Sequence, residues 1–202
     1  MATMIKNPYH CTFIHIPKTG GNSITTWMQQ NFKSVVTKRQ QHATKKEAEQ
    51  RFGDLGWTFC VVRNPWDYMV SWYEFKKMLA SSRIELLEKQ PELQNNRKQK
   101  FNLEANRKSL SRLEQGFDWW VRQTGRDNQY HWAKNVDYIM KLENLNNDFS
   151  IVQEKLGCDI PLGHLNKTRT RHKKYQEYYT PELVDVVSKK YKADIEKFGY
   201  EF

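Results

Sequence analysis

Three short stretches of this sequence combine residue types that handle anions or protons. In Pro17-Lys18-Thr19-Gly20-Gly21-Asn22-Ser23 a lysine precedes paired glycines. Glycines let backbone N–H groups close on an anion, and a helix beginning there adds partial positive charge. The stretch reads as a phosphate cradle or, more plainly, as a strand-to-helix turn with a solvated lysine. The ATP-binding pattern GxxxxGK[ST] places its lysine after the glycines, so the order here disfavours ATP. Arg63 ends an apolar run, and Ser71 falls two helical turns beyond it on the face of Asp67. An arginine fork beside a neutral hydroxyl suits a terminal phosphomonoester better than a metal. The alternative is Arg63 paired with Asp67 and Ser71 in solvent. His42 stands just ahead of a helix start, where the positive end of the dipole favours the neutral imidazole that a base requires. Taken alone, a loop histidine is more simply a solvated one.

These residues need elements to hold them. Cys11-Thr12-Phe13-Ile14-His15-Ile16 is short and β-rich, and it runs into the Pro17 to Gly21 turn. Asn22 or Ser23 is the expected cap of a helix carrying Ile24, Trp27, Met28 and Phe32. A second strand, Trp57 to Val62, ends at Arg63, and a helix restarts at Asn64-Pro65 with Trp66, Val70 and Tyr73 on its buried face. Between them, Thr44 and Glu47 have capping-box spacing and predict a helix over Lys45 to Phe52. Val136 to Leu142 reads as a buried strand and about Asn146 to Leu156 as a helix. A last helix opens at Thr180-Pro181-Glu182 and carries Leu183, Val187, Tyr191, Ile195 and Phe198. Such alternation predicts an α/β fold, a three-layer α/β/α arrangement with a central parallel sheet, because parallel strands need crossovers that bury both faces.

One domain spanning 1–202 is expected, with a charged helical insertion at about 76–116 whose two exposed helices are separated at Pro91. The formal net charge of +10 points to anionic partners without choosing among them. No apolar run is long enough to span a bilayer, and Met1 to Tyr9 lacks the apolar core of a secretory signal, so a soluble, cytoplasmic protein is expected. Cys11, Cys60 and Cys158 form no CxxC and read as reduced thiols. Trp119, Trp120 and Trp132 have the spacing of core aromatics more than of a stacking platform.

The segments 15–23, Val62 through Ser71 and Asp194 through Phe202 together resemble the PAPS-dependent sulfotransferases, whose donor is 3′-phosphoadenosine 5′-phosphosulfate. The similarity extends over His42-Ala43-Thr44, Leu142-Glu143-Asn144-Leu145 and His164-Leu165-Asn166-Lys167-Thr168. The resemblance is especially to the carbohydrate O-sulfotransferase branch, heparan sulfate 2-O-sulfotransferase-like, and it implies a P-loop-like sulfotransferase fold. By this resemblance Lys18, Thr19, Gly20, Gly21, Asn22 and Ser23 bind the 5′-phosphosulfate, and Arg63 with Ser71 the 3′-phosphate. The resemblance makes His42 the base, while the basic segment from His164 through Lys174, with Lys167 and Thr168, reads either as closing over the donor's 3′-phosphate or as a solvated loop. The implied reaction moves a sulfonate to a hydroxyl of a glycan or small molecule, releases adenosine 3′,5′-bisphosphate and needs no metal. Lys18 stabilises the departing phosphate. Two features depart from the family: many relatives carry Arg where Tyr68 stands, and many have a membrane anchor. The rival readings are a P-loop-type nucleotide kinase or NTPase and a basic polyanion-binding module, although nucleic acid is not the expected partner.

Overall fold

The computed structural model describes residues 2–5, 9–36, 42–90, 97–125, 127–163 and 173–202. Its strands β1 (Ala2–Ile5), β2 (Cys11–Ile14), β3 (Ser34–Val36), β4 (Trp57–Val62) and β5 (Tyr138–Lys141) form one sheet in the order β3-β1-β2-β4-β5. The parallel centre expected from the sequence is there, with Phe13 level with Phe59 and Phe59 level with Tyr138. β1 and β3, which the sequence reading did not anticipate, extend the β2 side in antiparallel pairing. Only residues 6–10 link β1 to β2, and a link that short permits a hairpin but no crossover helix.

The helices are α1 (Gly21–Asn31), α2 (Lys45–Phe52), α3 (Pro65–Glu88), α4 (Arg97–Glu114), α5 (Phe117–Gln123), α6 (Gln129–Ala133), α7 (Leu145–Lys155), α8 (Pro181–Lys190) and α9 (Lys192–Phe198). The chain divides into two compact units. The first holds residues 1–65, 127–168 and 191–201, the second 66–126, 169–190 and 202.

In the first unit, one sheet face packs Cys11, Phe13, Phe59, Val61 and Met140 against Ile24, Trp27 and Met28 of α1 and Phe149 and Val152 of α7. Alternation along each strand sends Thr12, Ile14, Cys60 and Val62 to the opposite face, and all four are also fully buried. α6 packs against β4 and α9 against α6, so helices cover both faces as the α/β/α reading expects. α2 has its capping box as predicted: Glu47 N–H donates to Thr44 Oγ1 at 3.3 Å and Thr44 N–H to Glu47 Oε2 at 2.7 Å.

The second unit holds the two helices of the charged segment, α3 from Trp66 onward and α4; Pro91, the expected breaker, lies outside the described residues. α3 runs unbroken through most of that segment's first half. Here Tyr73 donates to Leu113 O at 2.9 Å, and Phe117, Trp120, Tyr178 and Tyr179 build an aromatic cluster. Trp120 and Trp132 are buried, each within its own unit, as the core reading holds, whereas Trp119 is only half-buried. The single last helix expected from Thr180 is instead two, α8 and α9, which part at Tyr191. The apolar period continues through the break, which is why sequence periodicity missed it. Among the described residues, no helix is long and apolar enough to cross a membrane.

Candidate active site

β2 delivers the chain to a tight loop. Lys18 takes a left-handed backbone, φ 64°, and so does Gly20, φ 81°. For a residue with a Cβ that conformation costs about 1–2 kcal/mol, so the surrounding contacts must hold Lys18 in place. One of them is the Thr19 hydroxyl, which donates to Ile16 O at 2.9 Å. Because Thr19 is fully buried, its side chain shapes the loop from within. Gly20 itself is the α1 N-cap, replacing the Asn22 or Ser23 cap expected from sequence, and Ser23 N–H donates to its carbonyl at 3.1 Å. Glycine has no side chain, so no side-chain acceptor caps this helix. The second glycine is fixed by space: a Cβ on Gly21 would lie 2.3 Å from His15 Cδ2. The loop therefore presents the N-terminus of an eleven-residue helix, the arrangement that binds anions.

Two cations meet at this loop. Lys18 is half-buried, and its pKa falls to about 8, chiefly because burial strips its solvation and secondarily through the positive charge of Arg63. Arg63 leaves the end of β4, is buried, and donates from Nη1 to Lys18 O at 3.0 Å. The resemblance assigns these residues to the two ends of a donor. In the folded chain the Arg63 guanidinium also reaches the loop backbone.

His42 sits two residues before Thr44, the α2 cap, as predicted, and is exposed. Its Nδ1 lies 3.0 Å from His15 O. A carbonyl oxygen only accepts, so Nδ1 carries the hydrogen and Nε2 the lone pair. Desolvation pushes the His42 pKa below the ordinary value, while the hydrogen bond to His15 partly opposes it. His15 lies edge-on to His42 with ring centroids 5.1 Å apart. Burial, and next the neighbouring His42, lower its pKa to about 3, so it stays neutral at working pH. Its Nδ1 is buried without a hydrogen-bond partner among the described residues.

Lys18, Thr19, Gly20, Gly21, Asn22, Ser23, Arg63 and His42 all belong to the first unit; Ser71 is a buried residue of α3 in the second. Lys167 and Thr168 lie outside the described residues.

Gln129, Glu143, Asp194 and Tyr200 surround the Arg63 and Asn64 backbone, and sequence reasoning gave them no role. Glu143, Asp194 and Tyr200 lie in segments that carry the family resemblance, so a signal existed for them. Gln129 had none.

The model of the sulfotransferase family matches residues 1–201. The chain belongs to that family, whose enzymes transfer a sulfonyl group, in general from PAPS to a hydroxyl-bearing acceptor. Searches of curated proteins and of solved structures return no match.

Proposed function

We propose that this chain is a PAPS-dependent sulfotransferase of the carbohydrate O-sulfotransferase-like branch, acting on a hydroxyl of a glycan or small molecule, with His42 as base. The observation that carries the reading is the His42 Nδ1 contact with His15 O, on a residue adjoining the loop of Lys18. That bond orients the ring, selects the tautomer with Nε2 as acceptor and stabilises the imidazolium once a proton arrives.

The loop also fits the donor: a helix N-terminus with no acidic residue in its first turn, a lysine and an adjacent arginine make a positive, partly desolvated cradle. Lys18 with Thr19 through Ser23 takes the 5′-phosphosulfate. Arg63 takes the 3′-phosphate, Ser71 keeps the role the resemblance gives it there, and Lys167 and Thr168 keep the donor role expected of the basic segment. The donor supplies a sulfonate on a phosphate leaving group. Transfer forms an O–S bond to the acceptor, breaks the S–O bond to phosphate, sends the hydroxyl proton to His42 Nε2 and leaves negative charge on the phosphate oxygen. Lys18 offsets that charge.

The test is incubation with isotopically labelled PAPS and a panel of glycans, lipids and small alcohols. Label should pass to an acceptor with the wild type and be lost with Lys18→Ala. Transfer unaffected by that substitution contradicts the assignment of Lys18.

A further inference from the structure

Two segments that carry the family resemblance, 142–145 and 194–202, take no part in the chemistry above. In the first unit they converge on the residues that follow β4. Gln129 bonds Arg63 twice: its Oε1 accepts from Arg63 N–H at 2.8 Å, and its Nε2 donates to Arg63 O at 2.7 Å. Glu143 Oε1 accepts from Asn64 N–H at 2.6 Å. Both residues are held from behind. Asp194 Oδ2 accepts from Gln129 N–H and its Oδ1 from Tyr130 N–H, each at 2.8 Å. The Tyr200 hydroxyl donates to Glu143 Oε2 at 3.2 Å, and Asn64 Nδ2 donates to Glu201 O at 2.8 Å.

A strand leaving its sheet loses its ladder partners, and water ordinarily satisfies the freed groups. Here fully buried Gln129 and Asp194 replace water with a fixed frame. A buried carboxylate is costly to desolvate, and Asp194 offsets part of that cost with three N–H contacts, two of them from backbone, while burial still holds its pKa above the usual carboxylate value. Such a frame fixes the backbone from which the Arg63 side chain departs. We infer that Gln129 and Glu143 are positioning residues for the Arg63 contact with the donor, and that Asp194 and Tyr200 set them in turn. This rests on the assignment of Arg63 to the 3′-phosphate.

The test is calorimetric titration of the full chain with adenosine 3′,5′-bisphosphate and with adenosine 5′-monophosphate, so that the affinity ratio isolates the 3′-phosphate. The wild type should prefer the bisphosphate. Gln129→Met keeps the length but loses the polar contacts, and should cut the ratio by about 10- to 100-fold, the worth of the charge-assisted hydrogen bond that a misplaced Arg63 no longer gives the 3′-phosphate. Monophosphate affinity should be nearly unchanged. Tyr200→Phe removes one hydroxyl and should lower the ratio severalfold. A folded Gln129→Met protein with the wild-type ratio overturns the inference, as do equal losses for both nucleotides, the mark of a merely structural role. Should Gln129→Met not fold, Tyr200→Phe with an unchanged ratio overturns it instead. A wild type that binds both nucleotides equally overturns the Arg63 assignment itself, which is a separate failure.

Discussion

With Nδ1–H given to a backbone carbonyl, His42 takes up a proton only at Nε2. His42→Ala should therefore lower turnover by about 10²–10⁴-fold, the usual worth of a positioned base, while leaving adenosine 3′,5′-bisphosphate affinity intact. Steady-state kinetics beside calorimetry separates the two, and equal losses in both would make His42 structural. Because its folded pKa is depressed, the acid limb of kcat/KM should fall below the ordinary histidine value of 6.5. Lys18 carries a second pH signature. Its pKa of about 8 in the free protein means that the cation is lost as pH rises through that value, whereas bound phosphate favours keeping it. Bisphosphate affinity should hold to about pH 8 and weaken above it, approaching about tenfold per pH unit, and Lys18→Ala should remove the dependence. For stability the sign is reversed. Between about 8 and 10.5 the unfolded chain binds the extra proton, so Lys18 makes the fold more stable as pH rises across that window.

At the scale of elements, the loop from Pro17 to Gly21 was legible as a strand-to-helix turn because glycine and proline punctuate sequence strongly. Its cap was not. Propensity favours Asn22 or Ser23, but the left-handed Gly20 starts the helix earlier. Gly21→Ala should consequently abolish donor binding, since its Cβ meets a buried ring and not the tip of a flexible side chain. Retained affinity would mean that His15 can yield. The α2 capping box, by contrast, was readable to the residue because Thr44 and Glu47 act locally. Thr44→Ala should cost about 1 kcal/mol in chemical denaturation. β1 and β3 were not legible. Each is too short to show a period, and their pairing is decided by the neighbours they meet.

Over the whole molecule, the α/β class and the parallel centre followed from alternating strand and helix signals. The split of α8 from α9 and the frame around Arg63 depend on contacts between residues far apart in sequence, such as Gln129 with Arg63. The core can be probed by its thiols. Cys11 and Cys60 are fully buried, and desolvation raises both thiol pKa values, that of Cys11 to about 12. The native protein should expose only the half-buried Cys158 to a thiol reagent, and the denatured protein all three. Rapid native labelling of Cys60 would contradict the packing of β4. The central claim is that Lys18 and Arg63 make a site for a 3′-phosphorylated adenosine donor. Competitive calorimetry of adenosine 3′,5′-bisphosphate against ATP tests it most directly. The bisphosphate should bind more tightly and lose affinity in both Lys18→Ala and Arg63→Ala. Tighter binding of ATP, or bisphosphate affinity untouched by both substitutions, would contradict the account.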